Sequence, residues 1–417
     1  MNYIYLNLAN LNWSRINDYS LVSGGFTFSG ISAGLKDSAK KDLALILAPE
    51  NSIFSGVFTQ SIVRAACVDI CKARLNERSG LIRAILINSG HANACTGDRG
   101  MNDSLIATKE LSKLLGINEN QILICSTGVI GIPIPIEKLL KGLPKLVDEL
   151  DEKNLSDASE AILTTDLVQK KVAIETYLDG KKVSIAGFAK GSGMICPDMA
   201  TMLAFLTCNV GIDKKTWDEI IEEAVKFSFN TITVDGETST NDTFLAMNSG
   251  EKLKYKYLPN IKDGVNFVCQ YLAKSIARDG EGANCLIEVL VEGTKNDSDA
   301  LTIAKKITNS SLVKTAIHGC DPNWGRIISA IGNSGILFNF EQVDLMIGDF
   351  LILEKGNLKD YKKNEVVDYL KSKMNSNDLE QDIVEIRVNF NQGDGSGKSW
   401  GCDFSKQYIE INSEYTT

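Results

Sequence analysis

Short apolar runs rich in β-branched residues, broken by Gly, Pro, Asn and Asp, dominate the first third of the chain. Runs at 43–47, 53–59, 62–68 and 81–88 have the length and composition of strands, and 121–126 reads as a buried strand leading into Thr127-Gly128. The period then changes: Leu105, Ile106, Leu111, Leu114 and Leu115 recur near one face and predict a helix over about 102–115. Two more helices are predicted at 136–150 and 156–163. Segments 171–178 and 183–188 flank Asp179-Gly180, a dipeptide suited to the positive φ of a hairpin turn. The second of these strands feeds the turn Lys190-Gly191-Ser192-Gly193, followed by an apolar run over 202–210.

Helix 214–227 carries an apolar stripe of Trp217, Ile220, Ile221, Ala224 and Val225. A strand at 285–291, helices at 300–309 and 323–331, and a strand-rich remainder to 417 complete the pattern. Hairpins mixed with helices favour sheets layered with helices, an α+β class, over a doubly wound parallel sheet.

Composition narrows the function. The 417 residues are 44% hydrophobic with a net charge of -9, enough for two or three packed domains and without the basic footprint of a nucleic-acid binder. The expected partner is a small molecule. Residues 1–15 lack a basic segment followed by an apolar run, and nowhere do about 18 apolar residues follow one another, so the expected location is the cytoplasm. Ten cysteines occur singly and without a C-x-x-C pair, as reduced buried thiols would. With only His91 and His318 in the chain, any histidine-based triad or metal site must use one of these two.

Chemistry concentrates in 190–203, KGSGMICPDMATML. A small residue before a threonine, between a glycine-rich turn and an apolar strand, suits a self-processing site, where a hydroxyl must reach its own preceding carbonyl. Cleavage between Ala200 and Thr201 would free an α-amine with an ordinary pKa of about 7.7–8.0, a general base in a chain short of histidine. On spacing alone the segment reads rather as a glycine-rich loop entering a buried strand, and Ser126-Thr127-Gly128 as a strand-ending turn.

The segment resembles the cleavage motif of the ornithine acetyltransferases, the bifunctional glutamate N-acetyltransferases of arginine biosynthesis. The resemblance recurs in order at 88–97 (NSGHANACTG), 126–131 (STGVIG), 164–166 (TTD), 231–243 (TITVDGETSTNDT), 279–283 (DGEGA), 314–327 (KTAIHGCDPNWGRI) and 411–417 (INSEYTT). It implies a layered α/β/β/α sandwich of the N-terminal-nucleophile kind, with mixed, largely antiparallel sheets and a smaller C-terminal α/β domain. Residues 1–200 would form an α chain and 201–417 a β chain, in which 201–290 complete the core and 291–417 form the smaller domain.

By the same resemblance Thr201 is the nucleophile, and Thr127 and Gly128 form the oxyanion hole. Thr164, Lys190, Thr201, Glu281, Asn412 and Thr417 contact the substrates. The acetyl group would pass from N2-acetylornithine to glutamate with no cofactor or metal, acetyl-CoA being an optional second donor, in an assembly of two α and two β chains. Cys196 and Asp198 depart from the family's usual His and Asn, and Asp198 adds a negative charge three residues before Thr201.

The main rival is a self-cleaving aminopeptidase or amidase on the same scaffold. The run 393–399 mimics a phosphate loop, but Gln392 stands where its first glycine belongs and no helix pattern follows. Asp235, Glu237 and Asp242 match no calcium-loop spacing and read as a hydrogen-bonded turn.

Overall fold

A computed structural model describes residues 8, 11–19, 24–78, 81–196, 202–375 and 381–414. Three sheets organise them. The first has the order β1 (Ser14–Arg15), β7 (Lys170–Leu178), β8 (Lys181–Lys190), β9 (Leu203–Cys208), β11 (Thr243–Asn248) and β4 (Ile53–Phe58). The second runs β2 (Thr27–Ile31), β3 (Leu43–Leu47), β5 (Ala84–His91) and β6 (Ile122–Val129). The third runs β10 (Ile232–Thr233), β17 (Gly395–Cys402), β12 (Leu286–Thr294), β16 (Ile383–Asn389), β13 (Asp344–Ile347), β14 (Phe350–Glu354) and β15 (Asn357–Leu358). Most pairings are antiparallel; β9–β11, β5–β6, β12–β16 and β10–β17 are parallel. The chain is therefore α+β, with mixed, largely antiparallel sheets.

The first two sheets share one apolar core. Phe28 of β2 meets Phe188 of β8 edge to face at 6.3 Å between centroids, and Phe188 leans on Phe205 of β9 at 5.2 Å. Helices α1 (Ala66–Arg78), α2 (Gly97–Leu115), α3 (Ile136–Asp148) and α4 (Leu155–Ala161) close this side. The other face of the first sheet packs on α5 (Lys214–Lys226) and α6 (Leu258–Arg278), whose apolar stripes form the second core. The third sheet has its own core with α7 (Asp297–Thr308), α8 (Ser311–His318), α9 (Trp324–Gly332) and α10 (Lys363–Ser372), and α11 (Lys406–Ser413) follows β17. Among the described residues no helix is long and apolar enough to cross a membrane.

The Asp179-Gly180 hairpin forms in register, Leu178 opposite Lys181 and Lys170 opposite Ala189, and α5 buries the five residues of its expected stripe behind an Asp213 cap. Two expectations change. The run 62–68 is not a strand: Ile62 and Val63 are exposed and helix α1 begins at Ala66. Helix α2 buries Leu111 and part of Leu115 of its expected stripe, but the rest of that stripe turns out to solvent. Leu105, Ile106 and Leu114 face outward, while Ser104, Ala107, Thr108 and Ser112 are buried. Small polar residues let α2 approach closely, and their hydroxyls find partners there. Asn93 donates to Ser104 Oγ at 3.0 Å, and Arg74 donates to Thr108 Oγ1 at 3.2 Å.

The glycines of 393–399 also have a packing reason. A Cβ on Gly395 would stand 2.3 Å from the Asn296 carbonyl carbon and one on Gly397 2.4 Å from the Leu301 amide, so α7 rests directly on β17.

Phe188 ties the two sheets together, so Phe188→Ala should cost about 3–5 kcal/mol. Urea denaturation followed by tryptophan fluorescence should show the midpoint fall accordingly.

Candidate active site

Thr127 and Gly128 stand where the parallel strands β5 and β6 end. Residues 122–127 are buried on both faces, and at Gly128, whose φ is 130°, the register against β5 shifts before the ladder ends at Val129. No other residue fits there: a Cβ on Gly128 would lie 2.2 Å from the carbonyl carbon of Gly90. Asn241 fastens this turn from behind, its amide donating to the carbonyls of Ala92 at 2.6 Å and Ser126 at 2.9 Å.

Lys190 is the last residue of β8, opposite Leu203 of β9. It is only 3% exposed, and its Nζ donates to Thr127 Oγ1 at 3.2 Å. An ammonium has only hydrogens to give, so Thr127 accepts and its own hydroxyl hydrogen remains available to another acceptor. Burial lowers the Lys190 pKa, and the charge of Asp166 opposes that fall.

Asp166 is itself buried and would be raised by desolvation, but Lys170 and then Lys190 hold it well below the usual carboxylate range. Its oxygens accept from Lys170 Nζ at 2.6 Å, the Gly191 amide at 2.7 Å and the Thr164 amide at 2.9 Å. Lys170 also donates to Asp279, which in turn accepts the Leu167 amide at 3.1 Å.

Glu281 sits in the turn after α6, with its amide on the Ser192 carbonyl at 2.9 Å. Its carboxylate lies against the backbone of Gly193, where a Cβ would meet it at 2.4 Å. Asn412, on α11, donates to Glu281 Oε2 at 2.8 Å. One turn earlier on the same helix, Tyr408 donates to Asp235 at 3.3 Å. Asp235 also accepts the amides of Met194 and Ile195, at 2.6 and 2.9 Å, and burial raises its pKa despite them. Asp242 faces elsewhere, onto the Met202 amide at 3.0 Å. Among the described residues no group of acidic, Cys or His side chains could hold a metal ion.

One cavity of about 410 Å³ collects these parts. Thr127, Gly128, Thr164, Lys190, Glu281 and Asn412 all line it, with a cation and a carboxylate on its wall. Ser239, Thr240 and Asn241 also line it and were not singled out from the sequence; their only signal there is membership of the 231–243 block. Neither histidine reaches the wall, and His318 pairs with Asp403 at 2.9 Å. Ala200, Thr201 and Thr417 lie outside the described residues.

Comparison with known proteins bears on the whole chain. The ArgJ family model matches residues 27–417. The chain belongs to the ArgJ family. An arginine biosynthesis bifunctional protein ArgJ from Prochlorococcus marinus subsp. pastoris is 66% identical over 393 residues, covering 94% of this chain and 98% of that protein. A protein of the same name from another Prochlorococcus marinus strain is 52% identical over 415 residues, 99% of each chain. The crystal structure of an arginine biosynthesis bifunctional protein from Bacillus halodurans is 41% identical and covers 51% of this chain and 98% of its own, with a TM-score of 0.46.

Gly193→Ala should push the Glu281 carboxylate off its seat while leaving the far-ultraviolet circular dichroism unchanged. Losing one charged hydrogen bond of about 1.5–3 kcal/mol should weaken binding of an amine-bearing amino acid roughly 10- to 100-fold in calorimetric titration.

Proposed function

We propose that this chain transfers an acetyl group from N2-acetylornithine to glutamate, as a step of arginine biosynthesis, after cutting itself between Ala200 and Thr201. The observation that carries the reading is the convergence of Thr127, Gly128, Thr164, Lys190, Glu281 and Asn412 on one cavity. The shared name of relatives matched over nearly their full length supports it.

The freed α-amine of Thr201 takes the proton from its own hydroxyl, whose oxygen attacks the acetyl carbonyl of acetylornithine. Thr127, its hydroxyl hydrogen left free by Lys190, and the Gly128 backbone face the oxygen that gains negative charge; losing one such donor costs about 10²–10³ in rate. The protonated amine then hands its proton to the departing α-nitrogen, ornithine leaves, and the acetyl group rests on Thr201. Glutamate reverses these steps and carries the acetyl group away. Buried Lys190 suits a substrate carboxylate and Glu281 a substrate ammonium, so an amino acid can be held by both ends. The absence of a histidine from the cavity wall favours the terminal amine as base.

Acetyl-CoA serves as a second donor to the same threonine, the cleaved chains assemble as two α and two β chains, and the enzyme works in the cytoplasm. The name of the relatives as bifunctional proteins supports the first of these points.

Supplying acetylornithine alone should add the mass of one acetyl group to the β chain, read by intact mass spectrometry. Thr201→Ala should stay uncut and inactive, and an active Thr201→Ala enzyme would overturn the assignment.

Asp166→Asn keeps a carbonyl oxygen but removes the charge that opposes the fall in the Lys190 pKa. The ammonium form that binds a carboxylate exists below that pKa, so lowering it further moves the loss of binding to lower pH. KM for glutamate should begin its alkaline rise at lower pH in the variant than in the wild type.

A further inference from the structure

Asp242 immediately precedes β11, and its side chain is fully buried. Its Oδ1 accepts the Met202 amide at 3.0 Å, while the Thr243 amide donates to the Met202 carbonyl at 3.1 Å. Residue 202 is thus held by both of its backbone groups. The second carboxyl oxygen, Oδ2, is buried and has no hydrogen-bond partner among the described residues. The Ser239 backbone and the Thr59 hydroxyl come close enough to draw the Asp242 pKa down, although neither forms a well-directed hydrogen bond with Oδ2. That hydroxyl, however, donates to the Ser239 carbonyl at 2.7 Å. Lys190, reaching in from β8, is the charged group that bears on this carboxyl, and its Nζ is engaged by Thr127. Before the cut, burial pushes Asp242 well above the usual carboxylate range, against the pull of the Met202 amide, and one more N–H on Oδ2 would draw it back toward the ionised form.

A buried acceptor without a donor is rare in native proteins and calls for a reason. The reason lies one residue upstream. Cutting the 200–201 bond turns an amide nitrogen, with one N–H, into an amine with at least two. That amine belongs to the residue bonded to Met202, whose own amide Asp242 holds.

We propose that Asp242 is a positioning residue for the nucleophile: Oδ1 fixes Met202, and Oδ2 receives an N–H of the α-amino group released at residue 201. This inference rests on the cleavage proposed above. With one N–H so directed, the amine keeps its lone pair for the Thr201 hydroxyl. The hydroxyl proton passes to the amine as the oxygen bonds to the acetyl carbon, and from the amine to the departing ornithine nitrogen. Asp242 neither gains nor loses a proton in the exchange.

The test is Asp242→Asn, which preserves an oxygen for the Met202 amide but turns an N–H toward the amine. Acetyl transfer should lose about 10²-fold or more in kcat, the size of effect expected when a proton acceptor is misdirected. KM for both substrates should stay close to wild type, a split that a general loss of packing would not produce. A variant with wild-type kcat overturns the proposal.

Should the variant fail to fold or to cut, a crystal structure of the processed wild-type enzyme decides. The α-nitrogen of residue 201 within about 3.2 Å of Asp242 Oδ2 supports the proposal, and a separation beyond about 3.5 Å overturns it. N-terminal sequencing of the wild type keeps the two ideas apart. No chain beginning at residue 201 removes the cleavage reading itself, whereas a cut wild type beside an unimpaired variant removes only the role of Asp242.

Discussion

Charges buried beyond the reach of water must be matched where they lie, and Asp166 meets that requirement for the whole site. Lys170 opens β7 and Lys190 closes β8, so the hairpin brings two ammonium groups to the same end. A single carboxylate between them offsets both and also takes the amides of Thr164 and Gly191. Asp279 answers the remaining valence of Lys170 and draws in the turn that carries Glu281. An uncompensated ion in such a place is far costlier than a lost surface pair. Loop 164–167, the β7–β8 hairpin and turn 279–281 are therefore locked together by electrostatics, and the cavity inherits its shape from that lock.

Backbone geometry supplies the rest of the precision. Gly128 allows β6 to lie tight against Gly90, and Gly193 lets a carboxylate rest directly on the main chain. These two glycines act through atoms they lack: each removes a side chain from a place where another group must come close. Asn241 then joins Ala92, just past β5, to Ser126 of β6, so the turn at Thr127 and Gly128 is held to its neighbour.

What could be read in the sequence was local. Asp179-Gly180 specified its hairpin because a turn of that type needs those residues, and α5 announced itself through five apolar residues at helical spacing. The run 62–68 misled because Ile62, Val63 and Val68 suit a strand, although the first two end up exposed and the third lies in a helix. Helix α2 misled for the opposite reason. Beside Leu111 its buried side carries Ser104, Thr108 and Ser112, which a hydrophobic pattern passes over. Helix α6, the long element behind the first sheet, went unnoticed although Ile261, Val265, Val268 and Leu272 line its buried side.

The candidate site was legible only through resemblance. Lys190 and Thr127 are 63 positions apart, and Asn412 and Glu281 131. No spacing rule joins such pairs. Ser239, Thr240 and Asn241 stayed hidden because, as short polar residues in a turn-like segment, they carry no periodic signal; their place on the wall follows from the parallel pairing of β9 with β11.

The order of the first sheet has a mechanical consequence for a chain severed before residue 201. Strands β9 and β11 would belong to the downstream fragment, and they lie between β8 on one side and β4 on the other, both from the upstream fragment. The fragments would interlock like the fingers of clasped hands. Pulling them apart would mean tearing two ladders at once in the middle of a sheet, so the severed molecule has no reason to dissociate and would melt as a single body.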